Sequence, residues 1–321
     1  MTQQHFVGAR QPFWNKVEEC IRGGNKAIRS CSSWFPQAFR ELTQDLNTAR
    51  AHGFDPAIIE RLNRLVLEGN QILYGQRSFS PKAFIDFLVY RFPRAVRSHW
   101  KGIAAAHLLF YVFGFAVFLL CVRKGEFAYI ILGEDQAWQF ESMYNPDSSH
   151  FLNPRDVSSD ADMFGYYIYN NISIAFRTFA GGIIAGVGSL FFLIFNAVFL
   201  GAAAGHIVNK NFGESFLSFI IGHSSFELSA IVLSAFAGLY LGYRLFVTQG
   251  FTRAASLKRA GKTAVPIIGG SALLLVIAAA IEAFWSSRHN IPVMVKYAAG
   301  TANWILLFAY FVFSGRKENR G

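Results

Sequence analysis

A chain of 321 residues that is 53% hydrophobic, only 16% charged and carries 34 phenylalanines has more apolar surface than a soluble core of its size can use, which excludes an ordinary globular enzyme. The formal charge of +10 does not indicate a nucleic-acid binder, because about half of the lysines and arginines lie in the first hundred positions and others flank apolar segments. That distribution is the signature of membrane topology, with the bilayer as the main solvent and no nucleic acid among the partners.

The first residues are polar and lack the apolar core of a cleavable signal, so the amino terminus is expected to stay inside. Cys20, Cys31 and Cys121 have neither metal-ligand nor CxxC spacing, and reduced thiols are expected. Residues 1–100 read as a cytosolic amphipathic helical domain. Apolar residues recur at helical spacing in Phe35, Phe39, Leu42 and Leu46, then in Ile58, Ile59, Leu62, Leu65, Val66 and Ile72, with Gly53 and Pro56 between the runs. A further pattern follows Pro81 through Phe84, Phe87, Leu88 and Phe92, ending at Pro93 among Arg91, Arg94, Arg97 and Lys101. It fits a helix lying on the inner membrane face, its arginines near anionic headgroups, or a solvated basic linker on the same side.

From Gly102 to Val122 the only ionisable group is His107, and about 20 apolar residues cross a hydrocarbon core of ~30 Å. Residues 125–165 then carry Glu126, Glu134, Asp135, Glu141, Asp147, Asp156, Asp160 and Asp162 against a single Arg155, so this acidic loop is expected outside. Its aromatics Trp138, Phe140 and Tyr144 suit a small helix on the outer leaflet, a docking surface for an envelope partner, or a plain connection.

The stretch from Ile172 to Val208 would run about 55 Å as one helix, more than a single crossing. Gly181, Gly182, Gly186 and Gly188 supply a break, giving spans at 168–187 and 189–207, and the four-residue spacing of Gly182 and Gly186 also permits close helix packing. A span at 217–246 follows, with a broken or re-entrant backbone expected near Gly222. The basic stretch Arg244, Arg253, Lys258, Arg259 and Lys262 is expected in the cytosol, and spans at 265–286 and 292–313 are closed by Arg316, Lys317 and Arg320. The fold class is therefore an all-α polytopic transmembrane bundle of about six spans, residues 101–321, with both termini cytoplasmic. Five spans would place the basic 253–262 stretch outside unless another segment is re-entrant.

Ionisable groups inside spans cost roughly 2.5–3.5 kcal/mol each at a helix centre, so each needs a partner or a wet cavity. Arg177, His206, His223, Glu227 and Glu282 are such groups, with Asn170, Asn171 and Asn196 adding amides. His223 and Glu227, four apart, share a helix face, and Arg177 is a possible ion-pair partner of Glu227 or Glu282. The cluster Asn170, Asn171, Arg177, Asn196, His223, Glu227 and Glu282 reads as a polar core that fixes helix packing, or as a proton or ion relay lining a cavity. Metal-dependent catalysis needs three converging ligands, and His223 with Glu227 supplies two; HSSFE is not the HExxH of zinc proteases. There is no GxxxxGK[ST] loop, and no GxSxG elbow accompanies Ser224 or Ser225. No cofactor, metal or catalytic residue is expected.

Asn170-Asn171, Ala175-Phe176, Ala180-Gly181-Gly182 with Gly186, then Leu193, Asn196, Leu200-Gly201, Gly222-His223, Glu227, Ala230-Ile231, Ala237-Gly238 and Leu241-Gly242 together resemble the stage II sporulation protein M family of integral membrane proteins. The likeness is strongest over 165–245. It departs at Ala197 and Ser224, where glycine is common in the family, and both replacements are small. The resemblance implies a multi-spanning, non-enzymatic scaffold of the bacterial inner membrane that, in spore formers, recruits cell-wall-degrading partners during engulfment; relatives also occur in bacteria that do not sporulate. Expected partners are the lipid bilayer, other envelope membrane proteins or cell-wall enzymes, and a second copy as a homo-oligomer. A transporter or permease subunit with a polar intramembrane path is the alternative.

Overall fold

The computed structural model describes residues 2–23, 31, 33–74, 80–148, 157–288 and 290–316, and these form helices with no strand among them. The chain divides into two compact units, Met1–Pro81 and Lys82–Gly321.

In the first unit, α1 (Gln3–Arg22), α2 (Phe35–Ala51) and α3 (Pro56–Tyr74) bury one apolar face each around Trp14, Val17, Leu42, Leu62 and Leu65. The two periodic runs read from the sequence fall on α2 and α3, separated by Gly53 in the left-handed region at φ 61°. A polar residue sits within this core. Asp45 accepts hydrogen bonds from Arg10 Nε at 2.8 Å and Trp14 Nε1 at 2.7 Å, which satisfies the buried carboxylate. A hydrogen bond from Arg61 holds the Glu18 carboxyl below its ordinary range. Cys20 and Cys31 pair as a disulfide with Cα atoms 6.4 Å apart, where reduced thiols were expected; their separation of 11 residues gave no periodic sign that they meet.

The second unit opens at Lys82 within α4 (Pro81–Asp86), followed by a π turn at Phe87–Arg91 and α5 (Phe92–Ser98). Helical structure does not end at Pro93, as the sequence suggested. Pro93 lies in the first turn of α5, where its missing N–H costs nothing, and the π turn precedes it. Nor does this segment present all its aromatics to lipid: Phe92 is buried, stacks on Phe87 and packs edge-on to Phe311, while Tyr310 donates to the Leu88 carbonyl at 2.6 Å.

Helix α6 (Trp100–Arg123) leads to α7 (Glu126–Leu132) and α8 (Glu134–Tyr144), so the acidic segment is largely helical. Arg155 and Asp156 lie outside the described residues. Then follow α9 (Val157–Ala180), α10 (Val187–Asn209), α11 (Gly213–Ile220), α12 (Ser224–Phe246), α13 (Arg253–Ile281) running into a π turn at Glu282–Ser286, and α14 (Val293–Phe313). The basic residues Arg253, Lys258, Arg259 and Lys262 form the first turns of α13 rather than a loop, because the Thr252 hydroxyl caps that helix by accepting from Ala255 N. The predicted interruptions at both glycine positions are present: a 3-10 turn at Gly181–Ile183 separates α9 from α10, and the chain between Ile220 and Ser224 separates α11 from α12.

Among the described residues, four helices are long and apolar enough to cross a membrane: Trp100–Arg123, Val187–Asn209, Ser224–Phe246 and Arg253–Ser286. The expected count of about six is not reached on that measure. Helices α9 and α14 occupy the other two predicted positions, but Asn170, Asn171 and Arg177 in α9, and Lys296 and Asn303 in α14, dilute their apolarity. Helix α12 is the axis of the bundle, with 67% of its apolar window buried against 17% for α6.

Glycine sets how closely the helices approach. A Cβ on Gly182 would lie 2.5 Å from the Gly238 carbonyl carbon, one on Gly242 would lie 2.6 Å from the Gly182 oxygen, and one on Gly181 would lie 2.6 Å from the Gly188 carbonyl carbon. Gly186, at φ 83°, makes the reversal itself. Gly182→Ala is therefore expected to cost more than about 2 kcal/mol by overpacking, whereas Gly261→Ala, whose Cβ meets open space on α13, should be neutral or gain up to about 1 kcal/mol of helix propensity. Thermal unfolding of the two variants in detergent checks this, and equal unfolding temperatures would refute the contact argument.

Candidate functional site

Two polar clusters lie in the second unit. The first is built where α11 gives way to α12. Gly222 fits under Trp285, and a Cβ there would meet the indole Cζ3 at 2.6 Å, so the start of α12 abuts the π turn of α13. His223 occupies the N-cap position of α12, and Glu227 follows one turn later with its Oε2 3.7 Å from His223 Nε2. Glu282 is the first residue of the π turn. One ligand-type atom from each of His223, Glu227 and Glu282 lies within 4.8 Å of the others.

Around these three the packing is close. His223 Nδ1 lies 3.2 Å from the Ser286 hydroxyl, Phe219 packs edge-on against the imidazole, and Lys296 Nζ donates to the Ser286 carbonyl at 2.8 Å. Asn303 Nδ2 donates to the Gly222 carbonyl at 2.8 Å, tying α14 to the same corner. Tyr144 of α8 is buried against Phe216 and Phe219. Burial pushes its phenol up, and the charges of Glu282, Tyr167 and Glu227 act in the same direction.

The second cluster ties the acidic segment to α10. Three donors meet one oxygen, Glu141 Oε1: His206 Nε2 at 2.8 Å, Tyr129 hydroxyl at 3.0 Å and Lys210 Nζ at 3.1 Å. Burial would raise the Glu141 carboxyl, but hydrogen bonds from Lys210, Tyr129 and His206 outweigh it and hold the group below its ordinary value. Lys210 is raised in turn by its hydrogen bonds to Tyr129 and to the Glu141 carboxylate. One residue before Lys210, Asn209 Nδ2 donates to the Val122 carbonyl; elsewhere in the unit, buried Asp160 pairs with Arg288.

The predicted site residues thus separate. His223, Glu227 and Glu282 come together, with Gly222 making the approach possible. Asn170 Nδ2 donates to Asn171 Oδ1 within α9, Asn196 Nδ2 bonds the Phe192 carbonyl of its own helix, and Arg177 is exposed with its Nε on the Ser173 carbonyl. Of the glycines, Gly181, Gly182, Gly186 and Gly188 form the packed reversal between α9 and α10. Ser286, Tyr144 and Lys296 were missed. A single lysine in an otherwise apolar stretch was a signal for Lys296; Ser286 carried none.

Residues 105–287 match the family model of Stage II sporulation protein M. The chain belongs to the Stage II sporulation protein M family. Its matched region contains the glycine reversal, the Glu141 cluster and all of His223, Glu227 and Glu282, while α14 with Lys296 lies beyond it. Residues 4–75 match a separate domain of unknown function, DUF8413. No curated protein and no solved structure matches the chain.

Because the Glu141 carboxyl is lowered in the folded state, its contribution is present above the ordinary value of 4.5 and is lost as pH falls through the folded value. Lys210 behaves oppositely, contributing below 10.5 and losing that contribution as pH rises through its raised value. Glu141→Gln is expected to cost about 1–2 kcal/mol near neutrality, and the gap to the parent protein should close on acidification. Thermal unfolding of both proteins from pH 7 down to about pH 2 checks it: the gap should hold to 4.5 and narrow below it, and a gap constant over the whole range would exclude the ionised carboxylate as the cause.

Proposed function

We propose that this membrane protein is a non-enzymatic scaffold or assembly factor for cell-envelope proteins, seated in the bacterial inner membrane with both termini in the cytoplasm. The observation that carries the reading is the character of its interior. Helices are locked at backbone contact by Gly181, Gly182, Gly186 and Gly242, a construction suited to a rigid platform rather than a moving carrier. Two grooves open on the surface of the bundle, of about 480 and 560 Å³, are lined almost wholly by apolar side chains, among them Phe110, Phe115 and Leu200 in one and Trp100, Leu233 and Trp304 in the other. Neither borders His223, Glu227 or Glu282. A permease path would run past its polar groups.

The charge pattern supports placing the acidic segment outside, where helix α8 offers a surface. Trp138 on that helix is 64% exposed beside Glu134 and Asp135, while Ala137 and Tyr144 anchor its other face. An exposed indole on a fixed helix is an anchor of the kind that dominates protein interfaces. Envelope membrane proteins or cell-wall enzymes are the proposed partners, with a second copy of the chain as a further one.

Affinity purification of the intact protein in mild detergent from its native host, followed by mass spectrometry, tests the reading. Stoichiometric recovery of envelope proteins or cell-wall hydrolases is expected, and Trp138→Ala should reduce that recovery at least about tenfold with unchanged abundance of the scaffold itself. Recovery of the chain alone, together with substrate flux after reconstitution into liposomes, would replace the scaffold by a transporter.

A further inference from the structure

We propose that His223, Glu227 and Glu282 form a binding site for one divalent transition-metal ion of the zinc or manganese type, at the corner where α11, α12 and the π turn of α13 meet. The three donor atoms already converge. Tetrahedral ligands at about 2.1 Å from a common ion stand about 3.4 Å apart, so the His223–Glu227 pair at 3.7 Å is already close, and the widest separation, within 4.8 Å, asks for about 1.4 Å of closure shared between two side chains.

The donor set and its support point the same way. One imidazole nitrogen and two carboxylates suit zinc, manganese or ferrous iron better than calcium or magnesium, which prefer an all-oxygen shell. His223 presents Nε2 toward Glu227, leaving Nδ1 to donate to the Ser286 hydroxyl at 3.2 Å. A metal-ligating histidine is oriented in this way by a hydrogen bond from its other nitrogen. Ser286 is itself fixed, since its carbonyl accepts from Lys296. Phe219 and Trp285 wall the corner with apolar surface, where two carboxylates are costly and a dication compensates them.

The ligands fall on two elements. His223 and Glu227 lie one helical turn apart at the start of α12, whereas Glu282 stands at the end of α13. A bound ion would therefore clasp the amino-terminal end of the central helix to the carboxy-terminal end of its neighbour, across the position where Gly222 breaks the chain. Three protein ligands leave one place of a tetrahedral sphere for water. The site goes beyond the scaffold reading and does not depend on it.

The test uses the full chain purified in detergent, stripped with EDTA, and offered zinc, manganese, magnesium or calcium chloride separately before gel filtration and elemental analysis. About one equivalent of zinc or manganese per chain should be retained, against little magnesium or calcium, and addition should raise the unfolding temperature of the stripped protein. Glu227→Gln and Glu282→Gln should each weaken retention more than about tenfold, and Ser286→Ala roughly tenfold, while Glu141→Gln retains the ion. Failure of the stripped parent protein to take up zinc or manganese, or retention by Glu227→Gln and Glu282→Gln as full as the parent's, would overturn the site. The parent-protein measurement decides the matter even if a variant fails to fold. Metal uptake needs no partner, so it stands or falls separately from envelope-protein capture.

Discussion

The bundle depends on backbone touching backbone around Gly182, Gly238 and Gly242. In a bilayer the tails are as apolar as leucine, so burying apolar side chains against each other contributes little net drive, and close packing with its dispersion contacts must supply it. At this point the backbone of α12 meets that of the reversal between α9 and α10, with the Ser189 hydroxyl reaching in beside Gly238. Because Gly186 must adopt φ 83° for that reversal, conformation and packing are set by the same few residues. Removing the room for contact would displace two helices from the axis at once.

With one end fixed by glycine, the opposite end of α12 is free to be specified by polar chemistry. There Gly222 admits Trp285, His223 reaches Ser286, and Glu282 approaches Glu227. A π turn has one extra residue in its ring, which rotates the side chains that follow relative to a continuous α-helix. In α13 it runs through Glu282 to Ser286 and so governs how both residues face His223. The Glu141 cluster ties the acidic helix α8 to α10 with three donors on one oxygen. The surface bearing Trp138 is consequently attached to the bundle by charge-assisted bonds, stronger than neutral ones.

Much of this was legible in the sequence because membrane physics imposes long-range order on composition. Apolar length marked α6 and α10, glycine clusters marked the breaks at 181–186 and 222, and four-residue spacing placed His223 and Glu227 on one face. What was not legible depends on three-dimensional neighbours. Nothing local says that Arg177 turns outward onto its own helix while Glu282, fifty-five residues beyond Glu227, turns in. Nor does periodicity distinguish a basic loop from the first turns of α13, because lysine and arginine are good helix formers and the cap at Thr252 decides. Glu282 was present in the sequence, but only the fold brings it to His223 and Glu227.

A rigid platform and a metal clasp are compatible for a physical reason. Glycine contacts are strong only at close range and have no directional bonds, so they fix spacing better than they fix rotation about a helix axis. Three donors from two helices around one ion fix rotation, because coordination distances vary by only about 0.2 Å. Placed at the end of α12 away from the glycine contacts, such a constraint would hold the register of the helix whose burial organises all the others. The packing at one end sets distance and the polar corner at the other sets angle, and a scaffold that presents a fixed outer surface requires both.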